Sequence, residues 1–356
     1  MRQAIRLAAR GRGRTWPNPV VGALLTRGGR VVGAGWHRAA GLPHAEVLAL
    51  EAAGRAARGA TLYVTLEPCA HQGRTPPCTR AILEAGVRRC VVALRDPHRI
   101  VDGRGIRELR AGGVSVEVGV GADAARELLG GYWQRHALGR PRVTWKVAAT
   151  LDGRIADARG RSRWITGPEA RRRGHALRAA SHAVVIGAGT ARRDDPRLTA
   201  RGVRALRQPL RVVCDTRLSL PISLALFSPA LARGTVVACG PAAPRARERA
   251  LLARGVRVWR LPRVAGGISP RALARRLAWL ECHELLIEGG ASLGTSWLRA
   301  RLVDRIALFS APRLLGQDGL GWCGPLGITR LERARTGHIE SVETLGSDAL
   351  ILMRLG

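Results

Sequence analysis

Short apolar runs alternate with segments of helical period along nearly the whole chain, and this alternation restricts the fold more than any other feature. In residues 1–141, "VVGALLT" (20–26) and "RVVGAGW" (30–36) flank a Gly-Gly turn, a hairpin signal. A helix follows from about His44 to Ala57, then a strand at 61–66, a helix at 79–86, a strand at 89–94, a helix at 105–113 and a strand at 114–119. One further helix is predicted over 123–138. Strands separated by helices predict a three-layer α/β/α domain. In "HALGRPRVTW", Gly139 and Pro141 end a helix and a new strand begins near Arg142. Strands are then expected at 182–189, 210–216, 235–240, 256–261, 284–290 and 305–312, with helical patterns between several of them. A length of 356 residues suits two domains, here 1–141 and 142–356, both α/β.

The formal net charge of +33 points first to nucleic acid. Its distribution argues against that class. Residues 1–141 carry 22 basic and 10 acidic groups and residues 142–356 carry 37 and 16, so neither part forms a basic arm. Aromatic residues, at 4%, do not interleave with the arginines as stacking platforms would. The charge instead favours capture of phosphorylated small molecules. Seven scattered cysteines do not suggest a disulfide framework. No run of 18 apolar residues and no signal-peptide pattern appear, so a cytoplasmic protein without a membrane partner is expected.

Chemistry concentrates first in "PHAEVLALEAAG" (43–54) and "TLEPCAHQGRTPPC" (65–78). One histidine and two cysteines, His44, Cys69 and Cys78, make a three-ligand zinc set that leaves a fourth tetrahedral position for water. Zinc lowers the pKa of such a water. Glu46, two residues from His44, is placed to carry the proton to a departing amine. A lone His-x-Glu means little, but His-x-Glu followed by Pro-Cys and a second Cys is the arrangement of zinc nucleobase deaminases. The cysteine spacing departs from the usual two intervening residues: eight separate Cys69 from Cys78. In the second part, "ELLIEGGASLGTSWL" reads as a strand running through glycines into a helix, whose exposed N–H groups suit a pyrophosphate.

These stretches, with "TWPNPVVGALL", "VVALRDPH", "WKVAATLDGRIA" and "GRSRWITGPEARRRGHALRAASHAVVIGAGTARRDDPRLTAR", resemble the bifunctional riboflavin-biosynthesis deaminase/reductase family over essentially the whole chain. The resemblance implies a cytidine-deaminase-like domain followed by a dihydrofolate-reductase-like domain. It implies one zinc per chain, with Glu46 as proton shuttle, and NADPH as second cofactor. Asn18 and His37 would contact the pyrimidine, and His71, Arg74 and Asp96 the rest of the deaminase substrate. Ala148, Trp164, Thr166, Thr190, Asp194 and Thr216 would line the NADPH site, with Gly290, Ala291, Ser292, Leu293, Gly294, Thr295 and Ser296 around its phosphates. Lys146, the only lysine of the chain, would join Ser162, Arg178, Leu198, Arg201 and Glu288 in holding the reductase substrate. Arg178 and Arg201 suit a ribose phosphate by bidentate hydrogen bonding. The implied substrates are phosphorylated pyrimidine ribotides, and the implied assembly is a homodimer through the reductase domain. One departure stands out: His98 occupies the place of the family's usual Asn.

Overall fold

The computed structural model describes residues 1–73 and 75–356. The chain divides into two compact units, Met1–Gly139 and Arg140–Gly356.

The first unit holds a five-stranded sheet. Its strands are β1 (Gly22–Arg27), β2 (Arg30–Trp36), β3 (Thr61–Val64), β4 (Arg89–Val92) and β5 (Ser115–Val118), in the order β2-β1-β3-β4-β5. The β1–β2 hairpin and the β1–β3 pair are antiparallel, whereas β3, β4 and β5 run parallel. The helices are α1 (Arg2–Ala9), α2 (Ala45–Ala53), α3 (Cys78–Glu84), α4 (Arg104–Ala111), α5 (Ala122–Leu129) and α6 (Gly131–Leu138). Leu25, Leu62, Val64, Ile82, Cys90 and Leu109 fill the core between sheet and helices. Two differences from the sequence expectation have local causes. The single helix expected over 123–138 is two, because Gly130 adopts φ 48° and ψ −114°, which only glycine reaches readily. The N-terminal helix α1, which the apolar pattern did not signal, buries only Ala4 and Ala8 and places Arg2, Gln3 and Arg6 between its apolar residues.

In the second unit, β6 (Arg142–Thr150), β8 (Ala183–Gly187), β9 (Leu210–Cys214), β10 (Thr235–Cys239), β11 (Arg257–Arg260), β14 (Glu284–Ile287), β15 (Arg305–Ala311), β17 (Gly337–Leu345) and β18 (Asp348–Leu355) form one nine-stranded sheet. Its order is β11-β10-β9-β8-β14-β6-β15-β18-β17. It is parallel except where β18 pairs antiparallel with β15 and β17. Two small ribbons pair β7 (Arg154–Ala156) with β16 (Leu320–Gly321) and β12 (Arg263–Val264) with β13 (Gly267–Ile268). The helices are α7 (Pro168–Ala180), α8 (Ala188–Asp194), α9 (Arg245–Ala253), α10 (Pro270–Trp279) and α11 (Ala291–Arg299).

Along β6 the two-residue period sorts function from packing. Val143, Trp145, Val147 and Ala149 are buried in one core, whereas Lys146 and Ala148 lie on the opposite face. The sheet is parallel at β8, β14 and β6, so the carboxyl ends of these strands gather at one edge, where open α/β sheets bind ligands.

Candidate active sites in the two units

In the first unit the sequence brings a strand end against two helix starts. His44 stands at the N-cap of α2, with extended backbone, and Glu46 lies in the first turn. Cys69 follows β3 and Cys78 opens α3. The backbone N–H groups of Cys78 and Thr79 donate to Cys69 Sγ (3.4 Å) and Cys69 O (3.2 Å), which pins the eight-residue excursion closed. His44 Nδ1 sits 3.2 Å from Cys78 Sγ and 3.6 Å from Cys69 Sγ. The ligand atoms of all three residues lie within 4.8 Å of one another. Hydrogen bonds from Cys78 and His44 pull the Cys69 thiol down to about 4. Hydrogen bonding to Cys69 and burial push Cys78 upward.

This donor set fits zinc: one imidazole and two sulfurs, all within 4.8 Å of one another, are the ligand types and number a catalytic zinc takes. Glu46 completes the fit. It is 3% exposed, its Oε2 has no hydrogen-bond partner, and burial raises its carboxyl to about 7. A buried carboxylate oxygen left without a partner beside an ion site is placed for a proton, not for packing.

Neighbouring side chains are fixed around this centre. His37 is buried, which lowers its pKa, and its Nδ1 lies 3.2 Å from Pro43 O. A carbonyl only accepts, so Nδ1 carries the proton and Nε2 accepts from Asn18 Nδ2 at 3.1 Å. Both ring nitrogens of His37 are therefore engaged within the protein, and Asn18 is the member of the pair with an amide oxygen to offer. His71 Nδ1 is buried without a partner. Asp96 is buried, which raises its carboxyl to about 7, and accepts hydrogen bonds from His98 N and Tyr132 Oη. Arg74 lies outside the described residues.

Glu67 carries a structural task that local sequence did not reveal. Its Oε2 accepts from Asp96 N (3.1 Å) and Gly103 N (2.9 Å), and its Oε1 from Ile106 N (3.2 Å). It thereby caps α4 and ties the 96–103 loop to the strand end that carries Cys69. The only signal was an acidic residue directly before Pro68-Cys69. The same contact explains Gly105: a Cβ there would stand 1.9 Å from Pro68 O. Gly105→Ala should therefore displace the Pro68-Cys69 peptide, lowering zinc occupancy and costing about 1–3 kcal/mol in thermal unfolding; unchanged zinc content and melting would refute this.

The second unit contains a cavity of about 610 Å³ at the carboxyl edge of its sheet. Lys146 and Ala148 reach it from β6, Ser162, Trp164 and Thr166 from the loop before α7, and Arg178 from α7. Thr190 and Asp194 reach it from α8, Leu198 and Arg201 from the loop after α8, and Glu288 and Gly290 from the turn after β14. Gly290 is the N-cap of α11, and its N–H donates to Thr190 Oγ1 at 3.4 Å. A Cβ at Gly187 or Gly189 would meet nothing within 4 Å, and one at Gly290 only Thr190 Oγ1 at 3.9 Å. Open backbone of this kind beside a helix start fits a dinucleotide phosphate.

Glu288 and Arg178 form a bidentate pair at 2.5 and 2.7 Å, and Arg178 Nη1 also donates to Thr199 O. Burial alone would raise the Glu288 carboxyl, but the charges of Arg178 and Lys146 hold it below its usual value. Burial lowers the Lys146 ammonium, and Arg178 lowers it further against the opposing pull of Glu288. The Arg178 fork, expected to hold a phosphate bidentately, is thus taken by Glu288. Arg201 donates to Thr199 Oγ1 at 2.7 Å from an exposed position.

Not every expected residue reaches the cavity. Thr216 sits beyond the end of β9 and does not line it, nor do Ala291, Ser292, Leu293, Gly294, Thr295 and Ser296. Because α11 starts at Ala291, its second turn faces inward: a Cβ at Gly294 would lie 1.9 Å from the Trp145 ring, and Thr295 is buried. Ser296 Oγ donates back to Leu293 O. Unanticipated cavity residues include His175, whose Nδ1 lies 3.1 Å from Thr199 O, and Arg171. Arg171 stacks on Trp164 at 4.6 Å and donates to Thr166 O, so it orients two expected cofactor contacts. Asp348 accepts from Gly167 N at 2.6 Å and anchors the start of α7.

Residues 1–94 match the family model for the cytidine and deoxycytidylate deaminase zinc-binding region, and residues 141–351 match that for the RibD C-terminal domain. The chain is 42% identical to the riboflavin biosynthesis protein RibD of Aquifex aeolicus, over 99% of this chain and 97% of that one. Among solved structures it is similar to Acinetobacter baumannii RibD, with TM-score 0.88 and 36% identity, over 100% of this chain and 97% of that one. It is also similar to a diaminohydroxyphosphoribosylaminopyrimidine deaminase/5-amino-6-(5-phosphoribosylamino)uracil reductase from Thermotoga maritima, with TM-score 0.83 and 34% identity, over 100% and 97% of the two chains.

Proposed function

The chain belongs to the RibD family of bifunctional riboflavin-biosynthesis enzymes, and from that premise we infer how its two sites divide the work. The first activity is hydrolytic deamination of 2,5-diamino-6-(5-phosphoribosylamino)pyrimidin-4(3H)-one. The second is NADPH-dependent reduction of the ribosyl group of 5-amino-6-(5-phosphoribosylamino)uracil to ribityl. The deaminase reading rests most on one observation, the partnerless Glu46 Oε2 beside three zinc-type donors.

His44, Cys69 and Cys78 would hold zinc, which would supply the Lewis acidity that makes water a nucleophile near neutral pH. Glu46 receives the proton of that water at Oε2 and passes it to the departing amine, so a C–N bond is exchanged for a C–O bond and ammonia leaves. Asn18, oriented by His37, presents its amide oxygen to the pyrimidine. His71, Asp96 and Arg74 take the remaining polar contacts of the ribotide.

In the second site NADPH would supply the hydride. Ala148, Trp164, Thr166, Thr190, Asp194 and Gly290, the members of the expected set that line the cavity, would hold it, with the N-cap of α11 toward its phosphates. Lys146, Ser162, Leu198, Arg201 and the Arg178–Glu288 pair hold the ribose chain. The ammonium of Lys146, set against Glu288, is the proton-bearing group placed beside the sugar. Incubation with the diaminopyrimidinone ribotide tests both halves: ammonia and a deaminated product without NADPH, and the ribityl product with it. A substrate of unchanged mass overturns the reading.

The homodimer assigned to the reductase unit is supported by its sheet edge. Strand β17 lies at the end of the nine-stranded sheet and exposes Ile339 (55%) and Val342 (64%), a surface that soluble proteins ordinarily cover. Sedimentation velocity should give a dimer that Val342→Glu weakens; a wild-type monomer at micromolar concentration refutes it. Among the described residues no helix is long and apolar enough to cross a membrane.

A further inference from the structure

The loop that carries Asp96 is built from two successive side-chain turns. Asp96 Oδ1 accepts from His98 N at 2.8 Å, a turn in which a side chain binds the backbone two residues on. His98 repeats the device: its Nδ1 accepts from Ile100 N at 3.2 Å. An asparagine oxygen is the ordinary acceptor in such a turn, and an imidazole can replace it only with Nδ1 unprotonated. The loop then closes through His98 O, which accepts from Val101 N and Asp102 N, and through Glu67, which accepts from Asp96 N and Gly103 N.

The ring of His98 is also packed. Its centroid lies 4.3 Å from that of His136, which lies 4.6 Å from that of Tyr132. Tyr132 Oη donates to the Asp96 carboxylate at 3.2 Å. Helix α6 and the loop thus hold Asp96 from two sides, through Tyr132 directly and through His98 by way of the backbone.

We propose that His98 is a positioning residue of the deaminase site: its unprotonated Nδ1 sustains the 98–100 turn that aims Asp96 at the substrate. The proposal rests on the reading that Asp96 touches the ribotide. An amide oxygen at position 98 serves equally, whereas an apolar side chain releases Ile100 N and loosens the arch. Protonation of the ring acts like the apolar change, because it turns an acceptor into a donor. Among the described residues, the elements packed on the ring carry the titratable and charged groups His136, Tyr132 and Arg135 on α6 and Arg95, Asp96, Arg99 and Asp102 along the loop. Burial holds His136 down at about 3, so that ring stays neutral.

The test compares steady-state deamination by His98→Asn and His98→Leu with wild type, using ammonia release from the diaminopyrimidinone ribotide. His98→Asn should keep KM within about twofold, and His98→Leu should raise it about tenfold with kcat changed much less, the scale of one lost hydrogen bond. NADPH-dependent reduction of the uracil ribotide, measured on the same samples, should be unaffected and controls for folding. If the Leu variant does not fold, wild type and His98→Asn still decide the matter. The wild-type KM should rise toward acid pH more steeply than that of the Asn variant, since Asp96 and Glu46 titrate in both. Equal KM for wild type and Leu, or equal acid slopes for wild type and Asn, overturns the proposal. Absence of ammonia release from wild type would instead overturn the deaminase reading itself.

Discussion

Glu46→Gln should abolish ammonia release while the protein still binds one zinc per chain. The substitution preserves shape but cannot accept a proton, and loss of a positioned acid–base group costs about 10²–10⁴ in rate. Because Glu46 Oε2 has no other partner and His44, Cys69 and Cys78 form the donor set without it, zinc content should not fall. Burial already disfavours the ionised carboxyl, so a neutral amide should leave thermal stability unchanged or slightly raised. Reduction of the uracil ribotide should continue at the wild-type rate, because that site lies in the other unit. Retained ammonia release would remove Glu46 from the mechanism.

Lys146→Met should lower kcat/KM of the reductase about 100-fold, within the span of a lost charge-assisted hydrogen bond and a lost proton donor. The long apolar side chain keeps the packing over Phe309, where the ammonium now lies 5.4 Å from the ring centroid. The Glu288–Arg178 pair remains, so NADPH affinity, read by fluorescence titration, should not change. The pH profile carries the sign. Lys146 must be protonated to act, and burial lowers its pKa from 10.5, so wild-type activity should fall as pH rises through that lowered value. Lys146→Arg should move this alkaline limb upward, since a guanidinium stays charged. An alkaline limb identical in all three proteins would assign the ionisation elsewhere.

The sequence spoke most clearly where the chemistry was local and rare. His44, Glu46, Cys69 and Cys78 lie at the start of one helix and on the two sides of one loop, so their pattern was readable before any contact was known. The strands of both sheets as far as β15 were likewise legible, because each has an apolar run of its own. The C-terminal β17 and β18 were not foreseen: β17 lies at the sheet edge with nearly every residue exposed and carries no such run. Other features had no local signature. Glu67 draws its three partners from 29 to 39 residues downstream, and Arg178 meets Glu288 across 110 residues. A carboxylate or guanidinium in a string of letters looks the same whether its partner is a substrate, a helix start or another side chain. The inward face of α11 was hidden for a related reason: the phases of Gly294 and Thr295 depend on where the helix begins, one residue after the N-cap glycine.

By itself the sequence singled out a candidate metal-ligand set with its proton carrier and the succession of two α/β units, which follow from residue chemistry, spacing and apolar periodicity. Its resemblance to a known family implied the candidate contacts to a phosphorylated pyrimidine and a dinucleotide. Only the tertiary structure decided which of those groups are already engaged. It paired Arg178 with Glu288, turned Gly294 and Thr295 inward, made His37 the holder of Asn18, and let a histidine at position 98 act as an amide would. The physical reason is that a hydrogen-bonding group is defined by the partner it has in space, and that partner is chosen by packing rather than by neighbours in the chain.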